Sequence, residues 1–272
     1  MPEKIEVSFQ VGVIITAIAT IISSIVGGIV SNRVAKKQRM IEIITNNRVK
    51  WMQDVKNLFS EYFTCTKYYV HKSIPQNNGE WFEKLNMVTS KIKLQLNLKG
   101  PKDKMIISLI DELNICYEKL LVIKLKNINS KDIEEAIDEE VIENYLHFYP
   151  KIKGLSDFIY RRENKNDKLL DIDSNVINRE EYKEIAKNVI IMDLQICTKC
   201  IKNLPNLINI YSQIYLKCEW ERVKKESKEG INTKFDFEKE FDDIEKEMSK
   251  EIKDIKRKLL YNEWEKYGRS VI

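Results

Sequence analysis

Glycine and proline are scarce, 8 and 5 among 272 residues. Turn-rich β architectures need both, so an all-α chain with long helices is expected. Histidine is scarcer, with only His71 and His147. Glu143 and His147 stand four apart, whereas a di-iron helical bundle repeats Glu-x-x-His at three apart and adds two further glutamates. There is no glycine-rich phosphate loop, no serine nucleophile elbow and no His-Glu-x-x-His. No catalytic residue, metal ligand or cofactor is therefore assigned, and a non-enzymatic role is expected. Cysteines number five, an odd count that argues against a secreted disulfide scaffold. Cys197-x-x-Cys200 lacks the second pair or histidines of a zinc site and falls mid-helix, so buried reduced thiols are expected. The net charge is only +4, too small to point to nucleic acid as a partner.

One absence is local. From Phe9 to Val30 the sequence FQVGVIITAIATIISSIVGGIV carries no charge. As a helix it measures about 33 Å, the thickness of a bilayer's hydrocarbon core. A secretory signal has a shorter apolar region after a basic leader. Here Glu3 and Glu6 precede the run against Lys4. An uncleaved transmembrane span is expected. Arg33, Lys36, Lys37 and Arg39 follow it, with no acid before Glu42. The positive-inside rule then predicts a single pass of the bacterial inner (cytoplasmic) membrane, N-terminus out and body in the cytosol. The same four residues are candidate contacts to lipid headgroups.

Within the span, Gly12, Thr16, Thr20, Ser24 and Gly28 recur every fourth residue, and Ala19, Ser23, Gly27 and Ser31 run beside them. Small residues on one helix face let backbones approach, and hydroxyls can bond across the contact. This face predicts self-association, either around a small pore or as a plain oligomer. No charge lies inside the span, which argues against an ion relay.

The expected organisation is a short extracytoplasmic N-terminus (1–8), the span (9–30), a cytosolic helical domain (31–229) and a C-terminal amphipathic helix (230–272). The first helix continues past the membrane to about Lys72, with Val34, Ile41, Ile44, Met52, Val55, Phe59 and Tyr62 on its apolar face. Ser73–Gly79 reads as a loop. A second helix fits Glu80–Leu98, and Gly100-Pro101 ends it and opens a third reaching about Leu125. Ser130 caps a fourth, acidic helix that Pro150 and Gly154 interrupt or end near Tyr149. Its carboxylates at 132, 134, 135, 138, 139, 140 and 143 cover most of the circumference, a solvated face and not a cation site. Arg161-Arg162 could touch phosphate. A polar loop spans Asn164–Asn178, where Asn178 opens a capping box with Glu181. A long helix follows to about Lys228, with a kink at Pro205. After the linker Gly230–Thr233, one amphipathic helix runs from about Phe235 to Trp264.

Three segments carry a resemblance. Asn47-Arg48-Val-Lys-Trp51-Met-Gln-Asp-Val, Lys91-Ile-Lys-Leu-Gln-Leu-Asn-Leu98 and Glu219-Trp220-Glu-Arg-Val-Lys224 resemble bacterial membrane-anchored all-helical proteins of the kind found near mobile-element and phage-defence genes. The resemblance implies a defence-associated role, no more. A protein partner from the same gene neighbourhood is a candidate, beside the lipid bilayer and further copies of the chain. The tail after Gly230 extends beyond that group's usual late signature. Within this frame Arg48 and Trp51, one turn apart, could stack as a cation–π pair, and Trp220 is expected to pack structurally. The expected role is a membrane-anchored effector or scaffold that self-associates in the bilayer. The alternative is a membrane-tethered module that binds a protein, nucleotide or RNA.

Overall fold

The computed structural model describes residues 2–71, 78–123, 133, 136–163, 179–230 and 234–259; within these, the side chains of 2–15, 17, 67–71, 78, 161–163 and 179 are not described. The protein is all-α, with eight helices and no strand among the described residues. They are α1 (Pro2–His71), α2 (Asn78–Gln95), α3 (Pro101–Val122), α4 (Glu139–Phe148), α5 (Pro150–Glu163), α6 (Arg179–Glu229), α7 (Phe237–Glu247) and α8 (Ser249–Leu259). The expected cap at Ser130, the polar loop 164–178 with its Asn178 cap, residues 231–233 of the linker and the tail beyond Leu259 lie outside the described residues, as do the side chains of Arg161 and Arg162.

The chain divides into two compact units. One comprises Met1–Met52 with Glu219–Asp236, and the other Gln53–Cys218 with Phe237–Ile272. α1 has no break at Val30: its 70 residues, about 105 Å, run unbroken through Gly27 and Gly28.

In the first unit the side chains of α1 are largely exposed. Ile18, Ile21, Ile22 and Ile25 are each more than half exposed, as is Val34, which the periodicity had placed on the apolar face. Ile41 and Ile44 are half-buried. α6 ends beside this part of α1. Gly230 closes α6 with φ +96°, the left-handed conformation that glycine adopts without strain, and its N–H donates to Glu226 O at 2.9 Å.

The second unit holds the core. Val55, Phe59 and Tyr62 from α1 are buried, as are Leu85, Val88 and Ile92 from α2. α2 packs on α3, α3 on α4, and α4 on α5. Polar groups tie the layers as well. Tyr62 OH donates to Asn114 Oδ1 at 3.2 Å, and Asn114 Nδ2 donates to Thr89 Oγ1 at 2.8 Å, linking α1, α3 and α2. Each such buried group would be costly unpaired.

Local chemistry accounts for several boundaries. Pro101 takes the first position of α3, where its missing N–H costs nothing. Asp138 caps α4, accepting from the Val141 N–H at 2.9 Å. Pro150 opens α5 for the reason Pro101 opens α3, and Gly154 lies inside that helix. The expected ending near Tyr149 is correct, but a new helix begins there at once. α6 runs through Pro205 without a break in its assigned helix. The expected single tail helix is two, α7 and α8, joined at Met248.

Candidate functional site

The first unit carries most of the residues singled out by sequence. Gly12 lies in α1, outside the part whose side-chain surroundings are described. Thr16, Thr20 and Ser24 are exposed. A Cβ built on Gly28 meets nothing within 4 Å, and Gly27 is equally open. The hydroxyls do not wait for a partner. Thr20 Oγ1 donates to Thr16 O at 2.8 Å, and Ser24 Oγ donates to Thr20 O at 2.8 Å. Their protons are spent inside the helix, so this face offers close approach and not hydroxyl donors. The helix also contains an 18-residue window of mean hydropathy 1.5, none of it buried, which is long and apolar enough to cross a membrane.

Arg33, Lys36, Lys37 and Arg39 are exposed on the next turns. Lys37 reaches the end of α6: a Cβ built on Gly230 would stand 3.7 Å from Lys37 Cε and 3.8 Å from Nζ.

Farther along lies a cluster of four charges. Arg48 Nη1 donates to Glu226 Oε2, and Arg48 Nε stands 3.9 Å from Glu219 Oε2. Arg222 approaches the same acids from their own helix, Nε to Glu226 Oε1 at 3.0 Å and Nη1 to Glu219 Oε1 at 3.7 Å. Glu219 and Glu226 are only 6% and 7% exposed. Buried carboxylates need such compensation, and two arginines against two glutamates leave the cluster neutral. Arg48 is therefore engaged by glutamates of α6. Trp51 is half-buried. Trp220 is 44% exposed, with Lys224 Nζ 6.0 Å from its ring centroid, so it sits at the surface and not in a core.

Beside this cluster is a groove of about 550 Å³, lined by Gln38, Arg39, Glu42, Thr45, Asn46 and Ser227 together with Ala35 and Ile41. Its lining mixes one cation, one anion, amides and hydroxyls. That suits a small polar or zwitterionic group and supplies no nucleophile–base pair.

The second unit contains a charge pair that sequence reasoning missed. Lys119 Nζ lies 2.9 and 2.7 Å from the two Asp193 oxygens, and Tyr145 OH donates to Asp193 Oδ2 at 2.6 Å. Burial by itself would lower the Lys119 pKa; the Asp193 carboxylate, by charge and hydrogen bond, together with the thiols of Cys197 and Cys116 outweighs it and holds the ammonium above its ordinary value. Burial, then the same carboxylate, pushes the Tyr145 phenol well up. Lys119 also stands 5.3 Å from the ring of Tyr149, whose buried hydroxyl has no hydrogen-bond partner. The available signal was an acid inside the apolar run Ile190-Ile-Met-Asp-Leu-Gln-Ile196.

Cys197 and Cys200 share this neighbourhood. Both are buried and reduced, as is Cys116 of α3. These neighbouring thiols, with burial, push the Cys116 thiol up, which disfavours the reactive thiolate. Among the described residues no group of three or more His, Cys, Asp or Glu is arranged to hold a metal ion. On the acidic α4, Glu140, Glu143 and His147 are all exposed. No protein-family model matches the chain, and no curated protein and no solved structure is similar to it.

Proposed function

We propose that this protein is a non-enzymatic effector or scaffold anchored in the bacterial inner membrane by the apolar part of α1, acting there by self-association. The observation that carries the reading is the exposed apolar window: Ile18, Ile21, Ile22, Ile25 and Ile29 find no cover among the described residues. In water such a helix is costly, and in a bilayer it is at home. The basic flank orients the body toward the cytosol. The face of Gly12, Thr16, Thr20, Ser24 and Gly28 supplies the contact between copies through backbone approach. A signal received by the helical body would change this packing and compromise the membrane. The resemblance in the Arg48–Trp51 and Trp220 segments supports a defence setting, with growth arrest as the outcome.

Open space around Gly28 makes the test clean. Gly28→Ile leaves the isolated helix undisturbed and blocks close approach. With 1–2 kcal/mol at stake, association should weaken about 5- to 30-fold in cross-linking from native membranes, and loss of membrane potential on expression should weaken with it. Ile25→Leu, on the other face, serves as control. Unchanged assembly and toxicity in Gly28→Ile and Gly12→Ile would sink the mechanism.

The groove beside the charge cluster favours a second reading, a tethered module that binds a protein, nucleotide or RNA. Exchange of residues 9–30 for an unrelated span separates the two: a tether keeps its function and a self-associating span loses it.

A further inference from the structure

We infer that the returning end of α6 forms, with the basic flank of α1, one surface that binds the anionic headgroups of the leaflet beside the span. The inference rests on the membrane-anchored reading and names the lipid chemistry that the anchored end meets.

Val30 ends the apolar run, and Lys37 stands seven residues later, about 10 Å farther along the helix axis. Lys37 reaches Gly230. The turn that closes α6 therefore lies within about 10 Å, plus the length of one lysine side chain, of the hydrocarbon edge. The headgroup layer fills roughly the first 5–7 Å of that distance. Charges at the turn are then within about one screening length, roughly 8 Å, of lipid phosphates.

The charge there is basic. Lys228 and Lys234 are exposed, and Lys225 Nζ donates to the Lys234 carbonyl at 3.1 Å, tying the segment after the turn back to α6. The nearby acids are Glu221, Glu226, Glu229, Asp236 and, on α1, Glu42. Glu226 is taken up by Arg48 and Arg222, and Glu221 by Lys224. Lys228 in the last turn also suits the helix macrodipole. That cannot account for Lys234, which lies beyond the helix. The four bases of the α1 flank and the lysines at 225, 228 and 234 thus present a surplus of positive charge toward one plane, complementary to an anionic leaflet.

The test uses the full chain in nanodiscs of phosphatidylcholine, with or without phosphatidylglycerol. An amine-acylating reagent is read by mass spectrometry at Lys228 and Lys234, with exposed Lys50, about 30 Å along α1 from Val30, as internal reference. Labelling of both lysines should fall at least about threefold in the anionic discs, Lys50 should not change, and high salt should erase the difference. In Lys228→Gln/Lys234→Gln, preference for anionic discs should drop several-fold. Equal labelling in both discs, or an unchanged preference in the double variant, overturns the inference and leaves the anchored reading standing. A chain that co-migrates with neither disc overturns both.

Discussion

At the scale of single residues, buried polar groups set the sharpest expectations. Asp103 is 5% exposed, accepts from Asn97 N–H at 2.8 Å and Tyr215 OH at 2.9 Å, and stands where a Cβ on Gly100 would go. The backbone of Gly100 suits any residue, with φ −69°. The space does not, because Asp103 Oδ2 fills it and two hydrogen bonds to Oδ1 hold the carboxylate there. Gly100→Ala should destabilise the protein by about 1–3 kcal/mol, read as a lower urea midpoint with unchanged slope. Lys119 and Asp193 give a second test. Lys119→Met strands the carboxylate, at a cost of about 3–5 kcal/mol. Two of the groups whose pKa the fold raises sit at this pair and give it a pH dependence. The folded state holds the protons of Lys119 and Tyr145 above the range where the unfolded chain releases them. Their contribution is complete below the unfolded values, about 10, and is lost as pH climbs toward the folded ones. Stability should fall in alkali from about pH 10, and Tyr145→Phe should flatten that fall in pH-titrated urea melts.

At the scale of elements, α6 is fastened to α1 by charge. Arg48 spans Glu219 and Glu226, 178 residues from the latter. Arg48→Met would leave two buried carboxylates with Arg222 as their remaining arginine. Local opening of residues 219–229 should become easier by about 3 kcal/mol, seen as faster amide exchange there. Arg48→Lys should recover only part, since one ammonium cannot fork between two carboxylates. What sequence could read here was set by local rules. The reach of α1 to His71 comes from the want of glycine and proline after Gly28, and the openings of α3 and α5 come from Pro101 and Pro150. The division of the tail was hidden because Ile244, Met248 and Ile252 keep helical spacing straight across it. The partners of Arg48 were hidden because nothing local links residues so far apart. The exposure of Trp220 was hidden for the same reason: periodicity names a face but not what covers it.

At the scale of the whole molecule, a long exposed apolar helix and a buried helical core coexist in one chain. Native membranes containing the full-length protein should retain it through high-salt and chaotrope washes and release it only to detergent. Release by salt would mean surface attachment instead of a span. The core contains its own satisfied network, so the detergent-solubilised protein should still melt cooperatively.

The hydroxyls of Thr20 and Ser24 bear on how such a chain would be made. Each already donates to a carbonyl one turn earlier. A newly synthesised copy would bring no stranded hydroxyl proton from these two residues into lipid, and it need not meet a sister copy before leaving the insertion machinery. For a chain anchored and self-associating as proposed, biogenesis and assembly would then be separate steps: each copy would enter the bilayer singly, and its local abundance would decide when copies meet.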